Sequence, residues 1–256
     1  MCHTDVPHGQ VTPAVDRREV WVPLATGEFM PGTLLTDGSE GPGILVAADI
    51  HGPSPFYDAL AARLASAGYT VLLPDYFFRQ GPPAGPDLES AFARRGKLDE
   101  ARTLHDLDDA CGWLAAETGS SRVGSIGFCM GATFTLDLAS TRSDMVTVAY
   151  YGFPVPQSTL VAPPPRPVDL VDSQRGPVLA FWGEEDRGVG LDHVRAYAGL
   201  AEQANPAFAY EILPGLGHGF LATSDIDDRT DPGGRTWHRV LHLFGDHLRD
   251  ASGGTA

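Results

Sequence analysis

Lysine is all but missing from this chain. Lys97 is the only lysine in 256 residues, and the rest of the 18 basic side chains are arginines. A phosphate-cradling P-loop, a lysine Schiff base and a Ser-x-x-Lys site all need a placed amine, so almost no room is left for them. Positive charge is scarce in general: 33 acidic residues leave a net charge of −15. That surplus repels polyanions, so neither nucleic acid nor an anionic membrane is expected as a partner. Cysteine is scarce as well. The odd count of three (Cys2, Cys111 and Cys129) fits free thiols in a reducing compartment. No apolar run approaches the roughly 20 residues that a bilayer demands. The first ten residues, MCHTDVPHGQ, show neither the basic stretch nor the apolar core of a secretory leader. The expected setting is the cytoplasm.

The remaining composition, 43% hydrophobic and 20% charged, is that of an ordinary globular chain long enough to bury a sizeable core. No repeat or linker divides it. Residues 1–18 read as a polar arm and 19–251 as a single domain. Cys2, His3, Asp5 and His8 are metal-ligand types, but in so polar a stretch the reading is an arm. Val20-Trp21-Val22 and Thr33-Leu34-Leu35, separated by Gly27, predict an N-terminal antiparallel hairpin. GILVAADI at 43–50 reads as a continuous apolar run, as expected for a central strand buried on both faces, ending in Asp49-Ile50-His51-Gly52. Strands are also expected at 69–73, 123–128, 146–151, 177–183 and 208–213. Helices are expected at 55–67, 98–118, 191–204 and about 235–249, and another after residue 129. The segment 74–97 and the Pro-rich 153–176 read as long functional loops. Strand and helix alternate, which predicts an α/β fold with a mostly parallel, doubly wound sheet flanked by helices. In the 98–118 helix, Leu104, Leu107, Cys111 and Leu114 share one face, which places Cys111 in the core.

The chain is organised around RVGSIGFCMGATFTLDL, residues 122–138. Gly127-Phe128-Cys129-Met130-Gly131 is a G-x-C-x-G between a strand and a helix, the thiol form of a nucleophile elbow. The turn pushes the side chain of Cys129 out of the sheet. The helix N-terminus behind it favours thiolate, the reactive form of the sulfur. A thiol used in acyl transfer needs a base, and the base needs an orienting acid. Asp186 and His218 follow Cys129 in the nucleophile–acid–histidine order of α/β-hydrolases. Glu184 and Glu185 compete with Asp186, because all three follow the same strand. The backbone amides of Ile50 and Met130 are the expected oxyanion donors. Asp49, Cys129, Asp186 and His218 each sit just past a predicted strand, where catalytic groups of such sheets collect. His238, His242 and Asp246, spaced by four, share a helix face; the reading is a solvated face rather than a metal site.

At these residues the chain resembles the dienelactone hydrolases. The resemblance runs from the hairpin to the last helix. It rests on the elbow, the acidic residue after GILVA, DYFFRQ at 75–80, VAYYG at 148–152, the Glu-Asp pair at 185–186 and GHGF at 217–220. It implies an α/β-hydrolase fold and hydrolysis of an ester or lactone by a Cys-His-Asp triad, without metal or cofactor. Cys129 would be the nucleophile, His218 the base and Asp186 its partner. Arg79 would meet a substrate carboxylate, with Tyr151, Phe78 and Phe220 near the pocket. Two departures stand out. Asp49 occupies a position where the family's archetypes carry Glu in contact with the thiol. Ala222 stands where they carry a second arginine, the next one here being Arg229. The expectation is therefore a cysteine-dependent ester or lactone hydrolase acting on a small molecule, as a monomer or homodimer. The rivals are an acyltransferase or thioesterase of a biosynthetic pathway, and a non-catalytic binding protein on the same fold.

Overall fold

The computed structural model describes residues 12–156 and 164–249. The set Cys2, His3, Asp5 and His8 lies outside the described residues. Eight strands form one sheet in the order β1-β2-β4-β3-β5-β6-β7-β8. The first two, β1 (Asp16–Pro23) and β2 (Phe29–Thr36), make the antiparallel hairpin, with Trp21 opposite Pro31. The domain thus starts at least three residues inside the stretch read as an arm. Charged Arg17, Arg18 and Glu19 line the edge strand β1, which protects an open sheet edge from pairing with another chain.

The remaining strands are mutually parallel: β3 (Gly43–Ala47), β4 (Thr70–Pro74), β5 (Val123–Phe128), β6 (Met145–Tyr150), β7 (Val178–Gly183) and β8 (Phe208–Leu213). Every residue of β3 to β7 is buried, the consequence of helices covering both faces, while the edge strand β8 is half-buried. The helices are α1 (Pro55–Ser66), α2 (Leu88–Arg95), α3 (Glu100–Thr118), α4 (Met130–Thr141), α5 (Leu191–Ala204) and α6 (Pro232–Phe244), the last continuing into one π turn at Gly245–Arg249. None of them is long and apolar enough to cross a membrane.

Two elements differ from the sequence reading. Segment 74–97 is not one loop, because it contains the 3-10 turn Phe78–Gln80 and α2. Glycines and prolines at 81–86 masked a helix whose start is set by Asp87, whose carboxylate accepts the Ser90 amide at 2.8 Å. Helix α6 begins at Pro232, three residues early. Pro-Gly-Gly looks unfavourable for a helix, but Asp231 caps the amides of Gly233 and Gly234, and proline fits the first turn. In α3, Leu107, Cys111 and Leu114 are buried as expected, and His105 is exposed.

Candidate active site

Cys129 stands between β5 and α4 at φ 55°, ψ −118°, a left-handed conformation that side chains other than glycine rarely adopt. The turn is locked from both sides. The Cys129 amide donates to Tyr150 O at 3.0 Å, and the Cys129 carbonyl accepts from Ala132 and Thr133. A side chain on Gly127 would strike the backbone of Gly131 and Ala132, and one on Gly131 would strike the carbonyls of Ala47 and Ala48. The two glycines therefore let the end of β5, the start of α4 and the end of β3 meet. Met130 opens α4, so helix geometry gives its amide no partner within the helix.

The acid and the histidine come from the loops after β7 and β8. His218 Nδ1 lies 2.7 Å from Asp186 Oδ2. The other oxygen, Oδ1, accepts the amides of Gly188 and Val189 at 3.0 and 3.1 Å, which fixes the carboxylate. Asp186 is buried, whereas Glu184 and Glu185 are exposed. Among the three acidic candidates, Asp186 is the one paired to the histidine. The His218 ring packs against Tyr151 at 5.1 Å and Phe153 at 5.6 Å. Tyr151 is itself at φ 44°, fully buried, with Phe220 edge-on to it at 5.3 Å. These aromatics hold the imidazole in place. Tyr151 is a buried packing partner of the histidine, and Phe220, also buried, packs on Tyr150 and Tyr151.

The loop after β3 supplies the third part. Asp49 is fully buried, and its Oδ1 accepts the His51 amide at 2.8 Å. Tyr76 donates to the carbonyls of Ala48 and Asp49 at 2.5 and 3.1 Å. Burial, reinforced by the negative charge of Asp49, pushes the phenols of Tyr57 and Tyr76 well above the ordinary tyrosine range. Negative charge on Cys129 would raise both phenols further. Sequence reasoning passed over Tyr57, Tyr76 and Phe153. Tyr76 was visible only as part of DYFFRQ, and nothing in the pattern of α1 distinguished Tyr57.

Arg79 departs most from expectation. Its guanidinium is already taken by Glu28 (Nη2 to Oε2, 2.7 Å) and by the buried Asp106, and it stacks on Phe78 at 4.4 Å. These two carboxylates compensate its charge, so the arginine expected to meet a substrate carboxylate is here a node of an ion-pair network. Phe78 belongs to that node. Among the described residues no group of three or more His, Cys, Asp or Glu could hold a metal ion; His238 Nε2 lies 3.4 Å from Asp227 O.

A cleft of about 470 Å³ opens at this same end of the sheet. Its walls include Trp21, Thr33, His51, Pro53, Asp75 and Arg94, but neither Cys129 nor His218.

The chain is also similar to known proteins. Residues 30–248 match the model of the dienelactone hydrolase family. A carboxymethylenebutenolidase of Rhodococcus opacus is 31% identical over 217 residues, 83% of this chain and 84% of that protein. A Bradyrhizobium protein named as a 2-oxo-3-(5-oxofuran-2-ylidene)propanoate lactonase is 30% identical, over 89% of this chain and 94% of its own. A crystal structure of a Klebsiella pneumoniae protein named as a dienelactone hydrolase superposes with a TM-score of 0.81 at 28% identity, covering 91% of this chain and 99% of that one.

Proposed function

The chain belongs to the dienelactone hydrolase family of ester and lactone hydrolases, and from that premise we propose that it works through a thioester on Cys129. His218 takes the proton of the Cys129 thiol at Nε2, and the thiolate attacks the substrate carbonyl carbon. The developing oxyanion is held by the amides of Met130 and Ile50. His218, oriented through Nδ1 by Asp186, presents Nε2 and protonates the departing alkoxide, leaving the acyl group on sulfur. His218 then takes a proton from water, the resulting hydroxide adds to the thioester, and the thiolate leaves as the acid product forms. Atoms balance: one ester bond and one water give an acid and an alcohol, or a hydroxy acid when the ester is a lactone.

The observation that carries this reading is the Asp186–His218 pair at 2.7 Å, set at the same sheet end as a cysteine in a left-handed elbow. The substrates are small esters or lactones, the class named for the relatives. The test is mass spectrometry of protein quenched during turnover of a panel of aryl esters and lactones. An acyl adduct on Cys129, with loss of turnover by at least about 1,000-fold in Cys129→Ala, is expected. Wild-type turnover in Cys129→Ala would overturn the thioester route.

A further inference from the structure

We propose that Arg94, delivered by α2, is a positioning residue that clamps the oxyanion loop 49–52. Arg94 is only 7% exposed, and among the described residues it makes no ion pair. Asp75 and Asp49 act on its charge only at longer range, and a buried guanidinium without a contacting carboxylate is costly unless it is tied down by other contacts. Its contacts lead to the loop after β3. Nη2 donates to the carbonyl of His51 at 2.6 Å, Nη1 reaches Gly81 O at 3.4 Å, and the guanidinium lies over Phe77 at 4.1 Å. A side chain on Gly52, at φ 72°, would come within 3.1 Å of Nη2, so loop and guanidinium are in close packing.

The bonds around the loop show what the clamp completes. Tyr76 holds the carbonyls of Ala48 and Asp49, the Asp49 carboxylate takes the His51 amide, and Asp49 O takes the Gly52 amide at 2.9 Å. Arg94 adds the carbonyl of His51. None of these bonds engages the amide of Ile50, the group assigned to the oxyanion. A donor contributes to catalysis only when held in place before charge develops, so each bond that stiffens the loop acts on the transition state. The other use for such an arginine, anchoring an anionic substrate from the cleft, is disfavoured by charge. Glu19 and Asp75 also line that cleft, so an entering anion would meet two carboxylates for one guanidinium.

This inference rests on the reading of Ile50 as an oxyanion donor, and its test separates the two. Hydrogen exchange needs no substrate: in Arg94→Met the amides at 50–52 should exchange at least about tenfold faster, while those of β3 stay unchanged. With a neutral aryl ester, kcat should fall about 10- to 100-fold, a fraction of the loss seen when an oxyanion donor is removed outright, with KM within about twofold. Arg94→Lys, which keeps a donor for the single carbonyl, should recover most of kcat. The Cys129 alkylation rate should stay within about twofold, which marks an intact elbow. Should Arg94→Met not fold, kcat falling in the order Arg, Lys, Gln at constant KM makes the same case. Unchanged exchange at 50–52, a flat kcat series, or a KM rise confined to anionic esters would each overturn the clamp. Faster exchange with unchanged kcat would keep the clamp on the loop but overturn its catalytic role and, with it, the assignment of Ile50.

Discussion

At the scale of single residues, the two described cysteines show how environment divides one functional group into two kinds. Cys111 is wholly buried in α3, and burial pushes its thiol up to about 12. Cys129 sits at a helix N-terminus with some exposure. In the folded protein at neutral pH, iodoacetamide should therefore label Cys129 at least about 100 times faster than Cys111. Peptide mapping after short exposures measures this. Asp49 should modulate that rate. Its carboxylate caps the His51 amide, a bond that the oxygen of asparagine can also accept, so Asp49→Asn removes charge with little change of shape. A nearby negative charge opposes thiolate. Its removal should lower the Cys129 titration midpoint, followed by alkylation against pH, by less than about one unit. Asp49→Glu, longer by roughly 1.5 Å, should bring charge closer and slow alkylation. A shift well above one unit in Asp49→Asn would show close contact between carboxylate and sulfur.

Elements are tied together by charge as well as by packing. Arg79, in the turn after β4, joins Glu28 between β1 and β2 to Asp106 on α3, and Arg102 of α3 also reaches Glu28. The neighbouring guanidinium of Arg79 holds the Glu28 carboxyl well below its usual range. The functional cost of Arg79→Ala should consequently be small and the structural cost large. Asp106 is 1% exposed and would keep a buried charge without this partner, a loss on the order of 3 kcal/mol. Urea unfolding should show the loss, while KM for anionic and neutral esters should change by less than about twofold. A KM rise specific to anionic esters would restore Arg79 to the substrate site.

For the molecule as a whole, the buried phenols set an alkaline limit. Burial raises Tyr57, Tyr76, Tyr150 and Tyr197, as it does Cys111. In each case the folded protein holds its proton to higher pH than the unfolded chain. Between the unfolded and folded values the native state binds more protons, so stability falls as pH rises. The contribution is fully present below about pH 9 and is lost above it, at up to ~1.4 kcal/mol per pH unit for each such group. Helical circular dichroism and phenolate absorbance should therefore change together in one cooperative alkaline transition. Phenolate appearing gradually in a still-folded protein would contradict it.

The chain itself determined what is local or periodic. Apolar runs alternating with amphipathic helices are enough for a parallel α/β sheet, because each strand carries its own pattern. The two glycines around Cys129 mark the elbow, because close backbone approach excludes any other residue there. Asp186 and His218 were legible as candidates by order alone. Tertiary structure decided whatever depends on partners from far along the chain. It separated Asp186 from Glu184 and Glu185, because only a defined loop path after β7 and β8 brings one carboxylate to the imidazole. It paired Arg79 with Glu28 and Asp106, 51 and 27 positions away. It also set Arg94, an unremarked arginine in a helix hidden behind glycines and prolines, against the His51 carbonyl 43 positions earlier. An arginine's role is set by which acceptors fold around it, and acceptors so distant leave no mark on the sequence beside it.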